Sequence, residues 1–108
     1  MIGEILKRTR LIYGYKASVL SKKLEISSSY ISEIENNKKK PPLDLLEKYA
    51  AVFDMKVSTL ILLSEDHDDA VRKNRTEDFV KKMMIKFIEL MSKNEVDPDG
   101  QDDKKVSL

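Results

Sequence analysis

Apolar residues recur every three or four positions along most of this chain, which is the spacing of one face of an α-helix. The first apolar stripe precedes Gly14 and consists of Ile2, Ile5, Leu6, Leu11 and Ile12. It predicts a helix from Ile2 to Tyr13, because glycine commonly follows the last turn of a helix. A second stripe predicts a short helix over residues 16–24 and consists of Val19, Leu20 and Leu24.

Three more helices are predicted before residue 64. Ser27 is expected to cap the third, since its hydroxyl can accept from the free amides of a first turn, and this helix ends near Asn36. Two consecutive prolines, Pro41 and Pro42, then require a loop. A short fifth helix is expected to end at Leu63. The fourth helix is predicted from the stripe Leu43, Leu46, Tyr49, Ala50 and Phe53.

The pattern changes near residue 64. Residues 65–76 are almost entirely polar and are predicted to be a linker that follows a first domain of residues 1–64. A helix over residues 77–93 follows a candidate cap at Thr76. Residues 94–108 have too little apolar content to offset the entropy of ordering and are predicted to form a disordered tail.

Composition agrees with an all-α protein. The 108 residues are 41% hydrophobic and 36% charged, with three glycines and three prolines. The absence of cysteine excludes disulfides and suits a reducing cytoplasm, and no apolar run approaches the roughly 20 residues that span a bilayer. The net charge of +1 hides an asymmetry, because residues 1–63 hold 11 basic and 7 acidic residues and the remainder hold 9 and 12. Only the first part is therefore suited to a polyanion.

Two short helices joined by three residues form the layout of a helix-turn-helix, in which the second helix lies in the DNA major groove. The segment Ile2–Leu63 contains the stretches "IGEILKRTRLIYGY" and "ASVLSKKLEISSSYISEIENNKKKPPLDLLEKYAAVFDMKVSTLI". It resembles the Cro/repressor-type (XRE) helix-turn-helix family, with "SYIS.IE", a lysine-rich loop, proline and leucine in order. The resemblance implies a five-helix lambda-repressor-like domain that binds double-stranded DNA, with the helix-turn-helix at Ala17–Asn36.

The resemblance also implies which residues meet DNA. The outward positions that face base edges are Ser28, Ser29, Ser32 and Glu33. The positions along the DNA backbone are Lys16, Ala17, Ser18, Ser27, Tyr30, Asn36, Asn37, Lys38, Lys39 and Lys40. Serine can donate or accept toward several bases and discriminates weakly, whereas Glu33 could accept from a cytosine amino group. Tyr30 could equally pack its ring on the second helix.

Some positions carry structural rather than DNA-binding expectations. In this family, residues at the positions of Arg10 and Glu35 commonly form a salt bridge between the first helix and the third. Three positions depart from the family pattern, since Ala17 stands where glutamine is frequent, Ser21 where alanine is usual and Glu25 where the turn usually has glycine. Glu25 therefore implies either a strained left-handed residue or a different turn.

The predicted helix at residues 77–93 has an apolar stripe about half its circumference wide. The stripe consists of Phe79, Val80, Met83, Met84, Phe87, Ile88, Leu90 and Met91. An apolar face of this width is expected to pack against a partner, and the expected partner is a second copy of the chain in a homodimer. The alternatives are the protein's own first domain, a different protein such as an antagonist, or a membrane surface, which the acids on the polar face disfavour.

The overall layout resembles the SinR-type bacterial repressors, in which the C-terminal part carries multimerisation and antagonist binding. The leading hypothesis is a dimeric transcriptional repressor; the alternatives are an antitoxin-like interaction protein and a domain that has lost DNA binding. No catalytic set, cofactor motif or metal site is expected, because the single histidine, His67, lies among acids in a predicted mobile linker.

Overall fold

The computed structural model describes residues 1–95, with side chains as far as Ser92, and the regular structure of these residues is entirely helical. The helices are α1 (Ile2–Ile12), α2 (Ala17–Leu24), α3 (Ser28–Glu35), α4 (Leu43–Val52), α5 (Val57–Arg72) and α6 (Thr76–Glu95). The expected all-α class is thus confirmed. The chain divides into one unit, Met1–Thr76, and a second that begins at Glu77. The predicted tail lies outside the described residues from position 96 onward.

The core of the first unit lies where the apolar stripes of α1 to α5 meet. Helix α1 packs against α3 and α5, α2 packs against α3 and α4, and α4 also packs against α5. Burial of each large apolar side chain contributes about 1.5–3 kcal/mol. The fully buried apolar side chains of the first unit are Ile5, Leu6, Leu20, Leu24, Ile31, Ile34, Tyr49, Phe53 and Leu60.

All five helices of the first unit end in the same way. A residue with positive φ follows the helix, and the next amide donates to the carbonyl five residues before it, which is the Schellman motif. The residues with positive φ are Gly14, Glu25, Asn37, Asp54 and Asn74. Glycine, asparagine and aspartate adopt this conformation readily, but Glu25, at φ 59°, does not. The turn of the helix-turn-helix is therefore retained and Glu25 is strained.

Helix α5 corrects the expectation of a short fifth helix. It does not end at Leu63 but continues to Arg72, so most of the polar segment predicted as a linker is helical. The reason is that Leu60, His67 and Ala70 recur on one face of the helix and are buried. A histidine in the place of an apolar residue, with acidic residues on both sides of it in the sequence, concealed the helical periodicity.

Helix α6 begins at Thr76 and extends through Glu95, close to the predicted range of 77–93. Glu77 and Asp78 lie in its first turn, where negative charge is favourable to the helix dipole. Glu77 also pairs with Lys81 one turn later, at 3.5 Å. Both interactions favour a helix that begins at Thr76.

Candidate nucleic-acid interface

Helix α3 has one face in the core and one face in solvent. The side-chain oxygen of Ser27 accepts from the amide of Tyr30 at 3.0 Å, so the predicted cap is present. Ile31 and Ile34 are fully buried against the neighbouring helices of the first unit. Because these buried residues lie on one side of α3, the opposite side of the helix faces solvent.

The outer face of α3 carries the residues that sequence reasoning assigned to bases. Ser28, Ser29 and Ser32 are exposed, and the Glu33 side chain is 41% exposed. The Ser28 hydroxyl makes a long contact of 3.4 Å with the hydroxyl of Ser21. At eight residues the helix is about 12 Å long. This length matches the width of a DNA major groove, about 12 Å.

A nearly buried ion pair holds the end of α3 against α1. Arg10 donates from Nε to Glu35 Oε2 at 2.7 Å and from Nη2 to Oε1 at 3.0 Å. Its Nη1 also donates to the carbonyl of Tyr15 at 2.9 Å. The hydrogen bond to Glu35 raises the pKa of Arg10 above its usual range. Because the two side chains are only 12% and 6% exposed, this pair orients α3 and is not available to DNA.

The lysine loop, Lys38–Lys40, follows α3 and is exposed. The amides of Lys38 and Lys39 donate to the Glu33 carbonyl at 2.8 and 3.2 Å, so the loop begins in a fixed direction. Lys39 Nζ lies 3.8 Å from a Glu33 carboxylate oxygen and 5.9 Å from the centre of the Tyr30 ring. The half-buried Tyr30 ring is thus next to the lysine loop, and the charge of Glu33 is partly offset.

The beginning of α2 is suited to an anion. Lys16 is the N-cap residue, no side chain caps the helix, and its first turn contains no acid. The amides of Ala17 and Ser18 therefore point out of the helix end together with the positive end of its dipole. Helix termini of this kind bind phosphate. Lys16 and Ser18 are exposed at the same end.

The two asparagines after α3 are engaged within the protein. Asn36 Nδ2 donates to the Ser32 carbonyl at 2.9 Å. Asn37 Oδ1 accepts from the Gly3 amide at 3.0 Å, and its Nδ2 donates to Glu4 Oε1 at 2.7 Å. Sequence reasoning assigned no role to Gly3 or Glu4, because contacts across more than thirty residues leave no local pattern.

A family model for the helix-turn-helix, HTH_3, matches residues 6–60, which is just over half of the chain and includes α2, α3 and the lysine loop. The chain belongs to the HTH_3 helix-turn-helix family. The resemblance drawn from the sequence is thereby confirmed. Among curated proteins of this kind, several regulators from Bacillus are similar in sequence.

The chain is 42% identical over 69 residues to the HTH-type transcriptional regulator SinR of Bacillus subtilis (strain 168), covering 63% of this chain and 60% of SinR. It is 42% identical over 62 residues to SinR of Bacillus licheniformis, covering 56% of each. The uncharacterized HTH-type transcriptional regulator YobD of Bacillus subtilis (strain 168) is 30% identical over 82 residues, which are 76% of this chain and 73% of YobD. The matched region thus spans less than two thirds of either SinR.

Two solved structures are similar to this helix-turn-helix chain. One is a crystal structure of SinR, described as the master regulator for biofilm formation, in complex with DNA; its identity is 42% and its TM-score 0.53, over 56% of this chain and 98% of that one. The other is a complex of the SinR and SinI proteins, with 33% identity and a TM-score of 0.52 over 87% and 97%. The likeness to SinR regulators therefore extends to the fold.

Helix α6 lies outside the part of this helix-turn-helix chain that the family model matches. Its predicted dimerisation residues differ in exposure: Phe79, Val80 and Met91 are half-buried, Met83 and Phe87 are buried, and Met84, Ile88 and Leu90 are exposed. Ile85, which was not part of the predicted stripe, is 58% exposed. The sequence could have indicated it, because Ile85 is an apolar residue on the otherwise polar face of this helix.

The part of the chain that the structure describes contains neither a membrane-spanning helix nor a metal-binding cluster. Within residues 1–95, no helix is long and apolar enough to cross a membrane. In the same residues, no group of three or more histidine, cysteine or acidic side chains is arranged to hold a metal ion. His67 is 3% exposed and belongs to α5, not to a mobile linker.

Proposed function

We propose that this protein is a sequence-specific DNA-binding transcriptional regulator, a repressor that binds a palindromic operator as a homodimer. The observation that supports it best is the outer face of α3, which the Arg10–Glu35 pair orients and which an anion-binding helix end and the lysine loop flank. The likeness to SinR in complex with DNA, at 42% identity, supports the same proposal.

In this proposal α3 enters the major groove. The bases are contacted by Ser28, Ser29, Ser32 and Glu33. The DNA backbone is contacted by Lys16, Ala17, Ser18, Ser27, Tyr30, Asn36, Lys38, Lys39 and Lys40. The family resemblance also places Asn37 at this surface, but its side chain is bonded to Gly3 and Glu4. The unit Met1–Thr76 is the DNA-binding part and α6 the association helix. The proposal includes no enzymatic activity, cofactor or metal, and it places the protein in the cytoplasm.

The chemistry of this surface predicts how affinity and specificity are divided. Serine hydroxyls both donate and accept, so each base contact discriminates modestly. Each lysine that neutralises a phosphate releases counterions and adds an increment that falls with salt. Affinity is therefore expected to depend on the lysine loop and on dimerisation more than on α3 alone.

Selection of binding sites from random duplexes, followed by anisotropy titrations at several salt concentrations, tests the proposal. Replacing Lys38, Lys39 and Lys40 together by glutamine should reduce the slope of log K against log salt by up to about 3. The matched control replaces Lys81, Lys82 and Lys86 by glutamine, which changes net charge equally and should leave the slope unchanged. A selection that yields no common sequence, or a slope unaffected by the loop substitutions, would contradict the proposal.

Homodimerisation through α6 is the second part of the proposal. Met84, Ile85 and Ile88 are exposed, so this helix presents an apolar surface to water. A partner that packs on this surface would remove it from water. A dimer of helix-turn-helix domains reads two half-sites about one turn of DNA apart. Light scattering should give the mass of two chains, and Ile88→Glu should give the mass of one.

An alternative function is supported by the same surface and by the likeness to the SinR and SinI complex, which covers 87% of this chain. In this alternative α6 binds a different protein, an antagonist that regulates DNA binding. A monomeric mass for the purified full chain that is unchanged in Ile88→Glu would favour the alternative. A palindromic operator recovered by the full chain would favour homodimerisation.

A further inference from the structure

Helix α1 begins without a cap of its own. The first amides of any helix lack partners within the helix, and Met1, which precedes α1, offers no side-chain acceptor. The acceptor comes from 34 residues further along the chain, where Asn37 Oδ1 accepts from the Gly3 amide at 3.0 Å. Asn37, the second residue after α3, therefore caps α1.

The same side chain makes a second bond. Asn37 Nδ2 donates to Glu4 Oε1 at 2.7 Å, and the other oxygen of Glu4, Oε2, lies 3.2 Å from Nδ1 of the buried His67. Glu4 is thus shared between the end of α3 and the middle of α5. Both polar atoms of the Asn37 side chain have partners within the first unit.

The approach of α1 to the end of α3 requires glycine. A Cβ atom on Gly3 would overlap the Ile34 carbonyl oxygen and Oδ1 of Asn37. Of these two, the carbonyl belongs to the backbone of α3 and cannot move aside. The contact between Gly3 and Asn37 is therefore a close, specific junction of two helices.

Asn37 is also the residue at which the backbone turns toward the lysine loop. It has φ 59°, its amide donates to Ile34, and the next two amides converge on the carbonyl of Glu33. Asn37 thus ends α3 with its backbone and binds α1 with its side chain. A rotation about the N–Cα bond of Asn37, which would turn the loop relative to α3, would also displace this side chain and break its bonds to Gly3 and Glu4.

We propose that Asn37 is a positioning residue, which fastens the end of α3 to the start of α1 and so directs the lysine loop toward phosphate without itself contacting DNA. This inference rests on the proposed DNA-binding function. Glu4, as the acceptor that holds Asn37, then favours DNA binding. Electrostatics alone would predict the opposite, because an acid near a phosphate-binding surface ordinarily weakens binding.

The first test replaces Asn37 by glycine, which keeps the left-handed backbone and removes both side-chain bonds. Affinity for the selected duplex should fall by up to about tenfold, the limit reached if these hydrogen bonds serve only to hold the loop in its DNA-binding orientation. Amide hydrogen exchange at Lys38, measured by NMR without DNA, should become faster. Asn74→Gly is the matched control, because Asn74 ends α5 at φ 58° and its substitution should change neither quantity.

The second test exchanges the amide and the carboxylate between positions 37 and 4. Asn37→Asp places a carboxylate against that of Glu4 and should weaken DNA binding more than Asn37→Gly does. Glu4→Gln in the same chain supplies an amide donor to the new aspartate and should restore affinity to within about twofold of the wild type. Because the double variant has the wild-type net charge, recovery would report the hydrogen bond rather than the charge.

The outcomes separate this inference from the proposed function. If the wild type binds no duplex, the proposed function fails, while the exchange rate at Lys38 still tests the junction. If the wild type binds and Asn37→Gly binds equally well with unchanged exchange, only the positioning role is overturned. If Glu4→Gln fails to rescue Asn37→Asp, Asn37 acts on DNA directly and the inference is wrong.

Discussion

The two faces of α3 differ in how many partners hold each side chain. On the inner face, Ile31 and Ile34 are fully buried and Glu35 forms a bidentate pair with Arg10. On the outer face, Ser29 and Ser32 are exposed over the same eight residues. The inner face thus determines where the helix lies, and the outer face is left to interact with something else.

This division separates stability from binding within one short helix. Substitutions on the inner face and at its supports should change the free energy of unfolding, whereas those on the outer face should change DNA binding alone. The ends of the helix combine both properties, because Ser27 and Asn37 terminate the helix and also lie beside the proposed phosphate contacts. Effects of substitutions on the free energy of unfolding are therefore expected to decrease from the buried face of α3 to its exposed face.

The largest effect is expected from the pair that fastens the inner face. Arg10→Ala leaves Glu35, which is only 6% exposed, without its partner and should destabilise the protein by about 3–5 kcal/mol in urea denaturation. Replacing both residues, as Arg10→Met with Glu35→Leu, should recover most of this loss because no unpaired charge remains. A single variant as stable as the wild type would show that the pair does not hold α3.

Gly3→Ala should have the next largest effect. The new Cβ overlaps the carbonyl of Ile34, so α1 must move away from α3 at a cost of about 1–3 kcal/mol. Thermal unfolding measures the loss, and Lys7→Ala, at an exposed position of the same helix, provides a control that should stay within about 0.5 kcal/mol. A Gly3→Ala variant as stable as the wild type would show that α1 and α3 are not in close contact at Gly3.

Glu25→Gly should stabilise the protein. Relief of the left-handed conformation is worth about 1–2 kcal/mol, from which the greater freedom of glycine in the unfolded chain subtracts about 0.4–1 kcal/mol. The exposed contact between Glu25 and Lys48, at 3.9 Å, contributes little. Denaturant titration should therefore show a gain of up to about 1.6 kcal/mol, while Asp54→Gly, in the same conformation, should show none. A loss of stability in Glu25→Gly would mean that the turn is not strained.

The smallest effect on stability is expected on the outer face. Ser29→Ala should change the free energy of unfolding by less than about 0.5 kcal/mol and yet alter the selected DNA sequence or the affinity for it. Ser58→Ala is matched to it, because Ser58 is also an exposed second residue of a helix, and should change neither. Identical DNA binding by both variants would exclude Ser29 from the interface.

Sequence reasoning was most successful where local rules apply. The first four helices and the cap at Ser27 depend on spacing and on one side-chain hydrogen bond, and the structure has them. Three residues of the predicted stripes, Leu11, Val19 and Leu43, are nevertheless exposed. The extension of α5 depended on His67 being buried in an otherwise polar segment, which residue type alone does not reveal. The bridge from Asn37 to Gly3 and Glu4 depended on the tertiary packing of α1 on α3.

The most direct test of DNA binding by the outer face of α3 is an NMR titration of the full chain with a duplex obtained by selection. Amide shifts should concentrate at residues 28–33, at residues 16–18 and at the lysine loop, while the amides of Ile5 and Leu20 in the core stay unchanged. Shifts confined to α6, or no shifts at a duplex excess sufficient for saturation, would contradict the proposal that this helix-turn-helix binds DNA through α3.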